Sequence, residues 1–62
     1  MKHICNANFG GYSFGIALDE SRDNPGMFRL VDENTGDEIE DMFESEQEAI
    51  DAIFVKYPDN DL

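Results

Sequence analysis

A single cysteine, Cys5, denies this chain any internal disulfide, which fits a reducing compartment. Basic residues are almost as scarce. Lys2, Arg22, Arg29 and Lys56 stand against fifteen Asp and Glu, for a formal net charge of −11. A surface of that sign repels free nucleic acid and anionic lipid, so neither is expected as a direct partner. No stretch approaches the roughly 20 apolar residues of a membrane span. The opening Met1-Lys2-His3-Ile4-Cys5-Asn6 has neither a long apolar run nor a cleavage pattern. A cytoplasmic protein is the expectation. Tryptophan is also absent, yet five Phe and two Tyr within a 40% hydrophobic composition are too many for a disordered acidic segment.

The 62 residues provide for one small acidic domain, residues 1–62. A chain of this size buries only about 60% of its unfolded surface, so its core is thin. The N-terminal third reads as a β-hairpin. Tyr12, Phe14, Ile16 and Leu18 alternate with Ser13, Gly15, Ala17 and Asp19, the period of a half-buried strand. Gly10-Gly11 ahead of it suits a two-residue turn. That turn predicts Phe9 opposite Tyr12, Ala7 opposite Phe14, Cys5 opposite Ile16 and His3 opposite Leu18.

Asp19 to Gly26 is rich in turn residues. Met27 to Asp32 reads as a third strand, Glu33-Asn34-Thr35-Gly36 as a turn, and Asp37 to Met42 as a short fourth strand with Leu30 opposite Ile39. Its weak apolar content predicts a sheet edge, blunted by Glu38 and Glu40 pointing away from Ile39. Ser45-Glu46-Gln47-Glu48 has the form of a capping box, with Ser45 as N-cap and Glu48 reaching back to it. Ala49, Ile50, Ile53, Phe54 and Tyr57 then make one helical stripe. Pro58 ends the helix, and 59–62 are expected to fray. The fold class is therefore α+β: an antiparallel sheet of three or four strands with one C-terminal helix packed on one face. The predicted core is Phe9, Tyr12, Phe14, Ile16, Leu18, Phe28, Leu30, Ile39, Phe43, Ile50, Ile53 and Phe54. Ile4, Met27 and Val31 fall on the other parity, as rim residues or as part of a self-association face.

The feature with most functional content lies between Asp32 and Asp51. Ten carboxylates, Asp32, Glu33, Asp37, Glu38, Glu40, Asp41, Glu44, Glu46, Glu48 and Asp51, occur there without one Lys or Arg. Ordinary exposed helices interleave charges for i,i+4 support, and this one does not. The bland account is a charged shell that keeps the domain dispersed. The functional account is a band that fills a basic groove in a nucleic-acid-binding protein. Duplex DNA carries about one charge per 1.7 Å of axis, and neighbouring helix side chains about 5–6 Å apart approach the spacing along one phosphate strand. Asp32, Glu33, Asp37, Glu38, Glu40, Asp41, Glu44, Glu48 and Asp51 are the candidate partner-binding residues.

Other chemistry is poorly supported. Asp32-x-Asn34-x-Gly36-Asp37 begins like a calcium loop, but its Gly falls one place early and Phe43 stands where a bidentate Glu belongs. Asp19-x-Ser21-x-Asp23-Asn24 fails in the same way at Leu30. His3 and Cys5, two apart on a strand, are too few for a zinc site and read as core-edge residues. Gly10-Gly11 belongs to no phosphate-binding pattern. No catalytic residue, metal or cofactor is expected, and an enzyme is not. Tyr12 and Tyr57 close the ends of a small core or anchor an interface.

Phe28-Arg29-Leu30-Val31-Asp32-Glu33-Asn34-Thr35-Gly36-Asp37-Glu38-Ile39 followed by Phe43-Glu44-Ser45-Glu46-Gln47-Glu48-Ala49-Ile50 resembles a hairpin-plus-helix module of phage and mobile-element proteins, over residues 27–57. The whole chain, very short, strongly acidic and free of catalytic motifs, resembles anti-CRISPR proteins that inhibit type I systems. Several of these are nucleic-acid mimics. The resemblance implies a bacterial host cell and a basic subunit of a type I CRISPR surveillance complex as partner; a monomer is expected rather than a homodimer. The class has no signature motif, so the acidic positions above come from the residues alone. The alternative is a non-enzymatic interaction module, accessory or antitoxin-like, gripped through Ile4, Met27 and Val31.

Overall fold

The computed structural model describes residues 1–62. Strands β1 (Lys2–Phe9), β2 (Tyr12–Glu20), β3 (Phe28–Asp32) and β4 (Glu38–Phe43) precede one helix, α1 (Glu46–Lys56). The sheet is antiparallel in the order β1-β2-β3-β4, each strand beside its sequence neighbour. The α+β architecture read from the sequence is the one observed. Gly10 and Gly11 take φ of 59° and 83°, the paired left-handed conformation of a tight hairpin turn that twists with its strands. Phe9, Ala7 and Cys5 accordingly face Tyr12, Phe14 and Ile16.

Below Cys5 the register shifts. Lys2 faces Leu18 and His3 faces Ala17, so the bulge at Ile4 sends His3 to the opposite face from Cys5. The expected His3–Leu18 pairing does not form, and the two residues do not share a side. β4 departs further. Leu30 lies opposite Glu40 instead of Ile39, Val31 opposite Glu38 and Phe28 opposite Phe43, with two register shifts in between. Met42 carries the second with φ 69°. Ile39 still packs against the core, but Glu38 and Glu40 no longer share a face.

The helix lies over one face of the sheet. Cys5, Ala7, Phe14, Ile16, Leu18, Leu30, Phe43, Ala49 and Ile53 form the buried cluster, with Phe28, Ile39, Ala52 and Tyr57 packed at its margin. Three expected core residues are corrected here. Phe9, Tyr12 and Phe54 are 64%, 44% and 49% exposed. Ala49 and Ile53 centre the buried stripe, which turns Phe54 outward and leaves Ile50 half-buried. Phe9 and Tyr12 lie at the hairpin tip. There they make ring contacts, Phe9 edge-on to Tyr57 at 5.7 Å and Tyr12 stacked on Phe14 at 5.3 Å, without being enclosed.

The other face has no helix, yet Gly15, Ala17, Arg29 and Val31 are buried on it. Small residues form the floor and long polar side chains roof it. Arg29 donates from Nη2 to Asp19 Oδ2 at 2.9 Å and from Nε to the Glu20 carbonyl at 3.2 Å. Glu33 crosses Gly15 to reach His3; a Cβ on Gly15 would lie 2.8 Å from its Oε1. Val31 is thus sealed and Met27 is half-buried, while Ile4, expected on this parity, packs instead against the helix-side core because the bulge there shifts the register. The apolar edge expected from these three residues is not an exposed surface.

The segment after Pro58 is not frayed. The Asn8 amide donates to the Asp59 carbonyl at 2.9 Å, the Asp61 amide donates to the Asn6 carbonyl at 3.1 Å, and Ala7 bridges Asn60. The outer edge of β1 is therefore covered, as exposed strand edges need to be. Asp61 fixes this segment by accepting from the Asn6 amide at 2.8 Å and its side-chain amide at 3.0 Å. Those bonds favour the carboxylate and hold Asp61 below the usual Asp range; the Arg29 bond does the same for Asp19. A depressed folded-state value stabilises the fold above the unfolded Asp value of about 3.9 and is lost as pH falls through the folded one. Melting temperature is expected to drop on acidification below about pH 4. Asp61→Asn should show a shallower acid limb; an unchanged limb would remove Asp61 from this account.

Candidate functional site

Eight of the nine candidate carboxylates lie on β4, on the turn that enters it, or on the segment and helical face that follow it, and the ninth, Asp32, ends β3 at the start of that turn. They separate into three kinds by what holds them.

Asp32, Asp41 and Glu48 are bound by uncharged donors. Asp32 Oδ1 accepts from the Asn34 amide at 2.8 Å and the Thr35 amide at 3.4 Å, closing the turn that Gly36, φ 80°, completes. The Asp32 carboxylate of the calcium-like stretch is thus engaged in the turn itself. Asp41 accepts from the Met42 amide at 2.7 Å and from Ser21 Oγ at 3.0 Å. Ser45 is the helix N-cap, its Oγ accepting from the Glu48 amide at 3.2 Å. Glu48 reaches back as expected, but to the Glu44 amide at 2.7 Å, one residue before the cap. Both bonds satisfy amides at the helix start, where negative charge also suits the helix dipole.

A second kind has acquired basic partners from distant parts of the chain. Glu33 is bound to His3, Glu38 Oε1 lies 3.6 Å from Arg29 Nη1, and Glu40 Oε1 lies 2.8 Å from Lys56 Nζ. Outside the nine, Glu46 pairs with Lys2 at 2.9 Å. Glu40 raises the Lys56 ammonium above its ordinary value, chiefly through their hydrogen bond. Because β4 bulges, Glu38 turns to the open face and Glu40 towards the helix, so they are not two steps of one row. The band is locally one-signed in sequence and partly compensated in space. No sequence spacing announces these partners.

The third kind is free of any base. Asp37 and Glu44 are exposed, and Asp51 accepts only from Gln47 Nε2 at 3.0 Å on the same helix. With Asp32, Asp41 and Glu48, they make six carboxylates without a cationic neighbour in the ion-pair geometry. Three of the six are anchored by hydrogen bonds from backbone amides. Such a carboxylate is already held in place, so little ordering cost remains if a partner docks against it.

Nothing else gathers into a site. No three His, Cys, Asp or Glu side chains converge as a metal ion requires. Cys5 is buried, and burial, aided by Asp61, pushes its thiol up, away from the reactive thiolate. An open depression of about 390 Å³ between Lys2, Leu18, Phe28 and Glu46 includes none of the nine candidates. No helix is long and apolar enough to cross a membrane. No family model matches the chain, nor does any curated protein or solved structure.

Proposed function

We propose that this protein is an inhibitor that acts as a nucleic-acid mimic, an anti-CRISPR protein that blocks target DNA binding by a type I surveillance complex. The observation that carries the reading is the anchoring of Asp32, Asp41 and Glu48 by backbone amides, with no base beside them. A phosphate row is a fixed line of charge, and a protein that competes with it gains from carboxylates already held in place. The net charge of −11 supplies the field that speeds encounter with a Lys/Arg-lined groove. The long axis of the molecule, 34 Å, offers about ten steps of the 3.4 Å spacing along one DNA strand. The partner on this reading is a basic, nucleic-acid-binding subunit of the complex, and the site is the β4 side of the fold.

The test is binding of labelled target duplex to a purified type I complex at increasing concentrations of this protein. The expected result is loss of DNA binding at micromolar protein, weakening as salt rises towards half-molar, where exposed charges are screened. DNA binding that persists unchanged at micromolar protein defeats the proposal. A second reading, a non-enzymatic interaction module, is favoured by exposed Phe9 and Val55, 64% and 84% accessible. It predicts partner binding that survives half-molar salt.

A further inference from the structure

We infer that Met42 is an apolar anchor for a basic partner protein. Five residues of this chain have left-handed φ; four are Gly10, Gly11, Gly26 and Gly36, and the fifth is Met42 at 69°. A side chain crowds the following carbonyl in that conformation, so glycine occupies it freely and methionine only under strain. The bulge has an evident backbone role, since it twists an edge strand out of line for pairing. That role accounts for the conformation and not for the methionine. Nor does the core account for it: Phe43, the next residue, is buried, while Met42 is 60% exposed. A residue that strains the backbone and gives little to the core is explained by a contact outside the molecule.

The position is also rigid. Asp41 accepts from the Met42 amide through Oδ1 and from Ser21 through Oδ2, so the bulge is clamped to the loop after β2. A thioether presented from a fixed backbone fits irregular apolar recesses, because its chain adapts while its origin does not. The occupant's charge follows from the surroundings. Glu40, Asp41 and Glu44 flank Met42 in the chain and Glu48 is bonded to the Glu44 amide; Lys56, on Glu40, is the base among them. A second copy of a chain at −11 is repelled, and a basic surface with an apolar recess is attracted. The recess distinguishes one basic partner from the many that any acidic protein would attract. The inference takes only the sign of the partner's charge from the mimicry reading.

Three immobilised proteins test it: wild type, Met42→Gly, and the charge reversal Asp37→Lys/Glu44→Lys/Asp51→Lys. Each is exposed to cleared lysate from cells carrying a type I CRISPR system, and the protein retained by wild type is purified and titrated against all three. Met42→Gly should melt no lower than wild type and bind at least about tenfold more weakly, the loss of a modest hot spot. Binding within twofold of wild type, a lowered melting temperature, or retention of no basic protein overturns the anchor. Full binding by the charge reversal overturns the basic partner and mimicry together, whatever Met42→Gly does. Full binding by Met42→Gly with loss by the charge reversal removes the anchor and keeps mimicry.

Discussion

Ile53→Ala is expected to remove most of the stability of this protein, whereas Phe54→Ala, one residue on, should be nearly silent. Ile53 is fully buried, and with Ala49 it seats the helix on Cys5, Ala7, Ile16 and Leu30. Truncating such a residue costs about 2–5 kcal/mol, from the lost transfer energy and the cavity left behind. A core in a domain of this size rarely supplies more than about 3–5 kcal/mol. The variant should therefore show little or no cooperative melting at 37 °C. Phe54 is half exposed, and its loss should stay within about 1 kcal/mol. Thermal melts by circular dichroism decide the matter. Equal losses at the two positions would mean that the helix is rotated from the orientation described here.

The largest expected effect on binding comes from reversing the carboxylates that have no base to lose. Asp37→Lys/Glu44→Lys/Asp51→Lys leaves every ion pair and every capping bond in place, because none of these three side chains contributes to either. The fold should survive with an unchanged far-ultraviolet spectrum. Inhibition of DNA binding by the type I complex should weaken by about 10²-fold, within the range attributed to electrostatic steering. Reversal at Glu40 would be a poorer probe, since it also sets two cations against each other at Lys56. A fully inhibitory triple variant would show that the β4 side is not the contact.

How far the sequence reveals this fold depends on how local each feature is. The β1–β2 register above Cys5 was legible because a Gly-Gly turn and a period-two pattern independently require the same pairing. The helix start was legible because Ser45 and Glu48 act within one turn. Phe54 misled because apolar size outranks fit in a sequence stripe. In the structure small residues, Ala49 and Ala52, let the helix approach the sheet, and the stripe rotates to follow them. The two β4 shifts were invisible because methionine gives no sign of a left-handed backbone. The acidic band was visible as a count of charges, but its compensation was not. Lys2 reaches Glu46 across 44 residues and Lys56 reaches Glu40 across 16, contacts that only the assembled fold creates.

The segment Asp59–Asp61 along β1 has a kinetic consequence. All three strand-to-strand ladders join sequence neighbours, so each closes a short loop, which keeps the contact order of the sheet low and favours fast folding. The Asp61–Asn6 contact spans 55 residues and gains little until the ladders exist to hold its two sides near each other. It is expected to form after the barrier and to open first, through fluctuations that leave the rest of the sheet intact. Hydrogen exchange at the Asn6 and Asn8 amides should then run faster than at β2 and β3, and destabilising the segment should speed unfolding while hardly slowing folding.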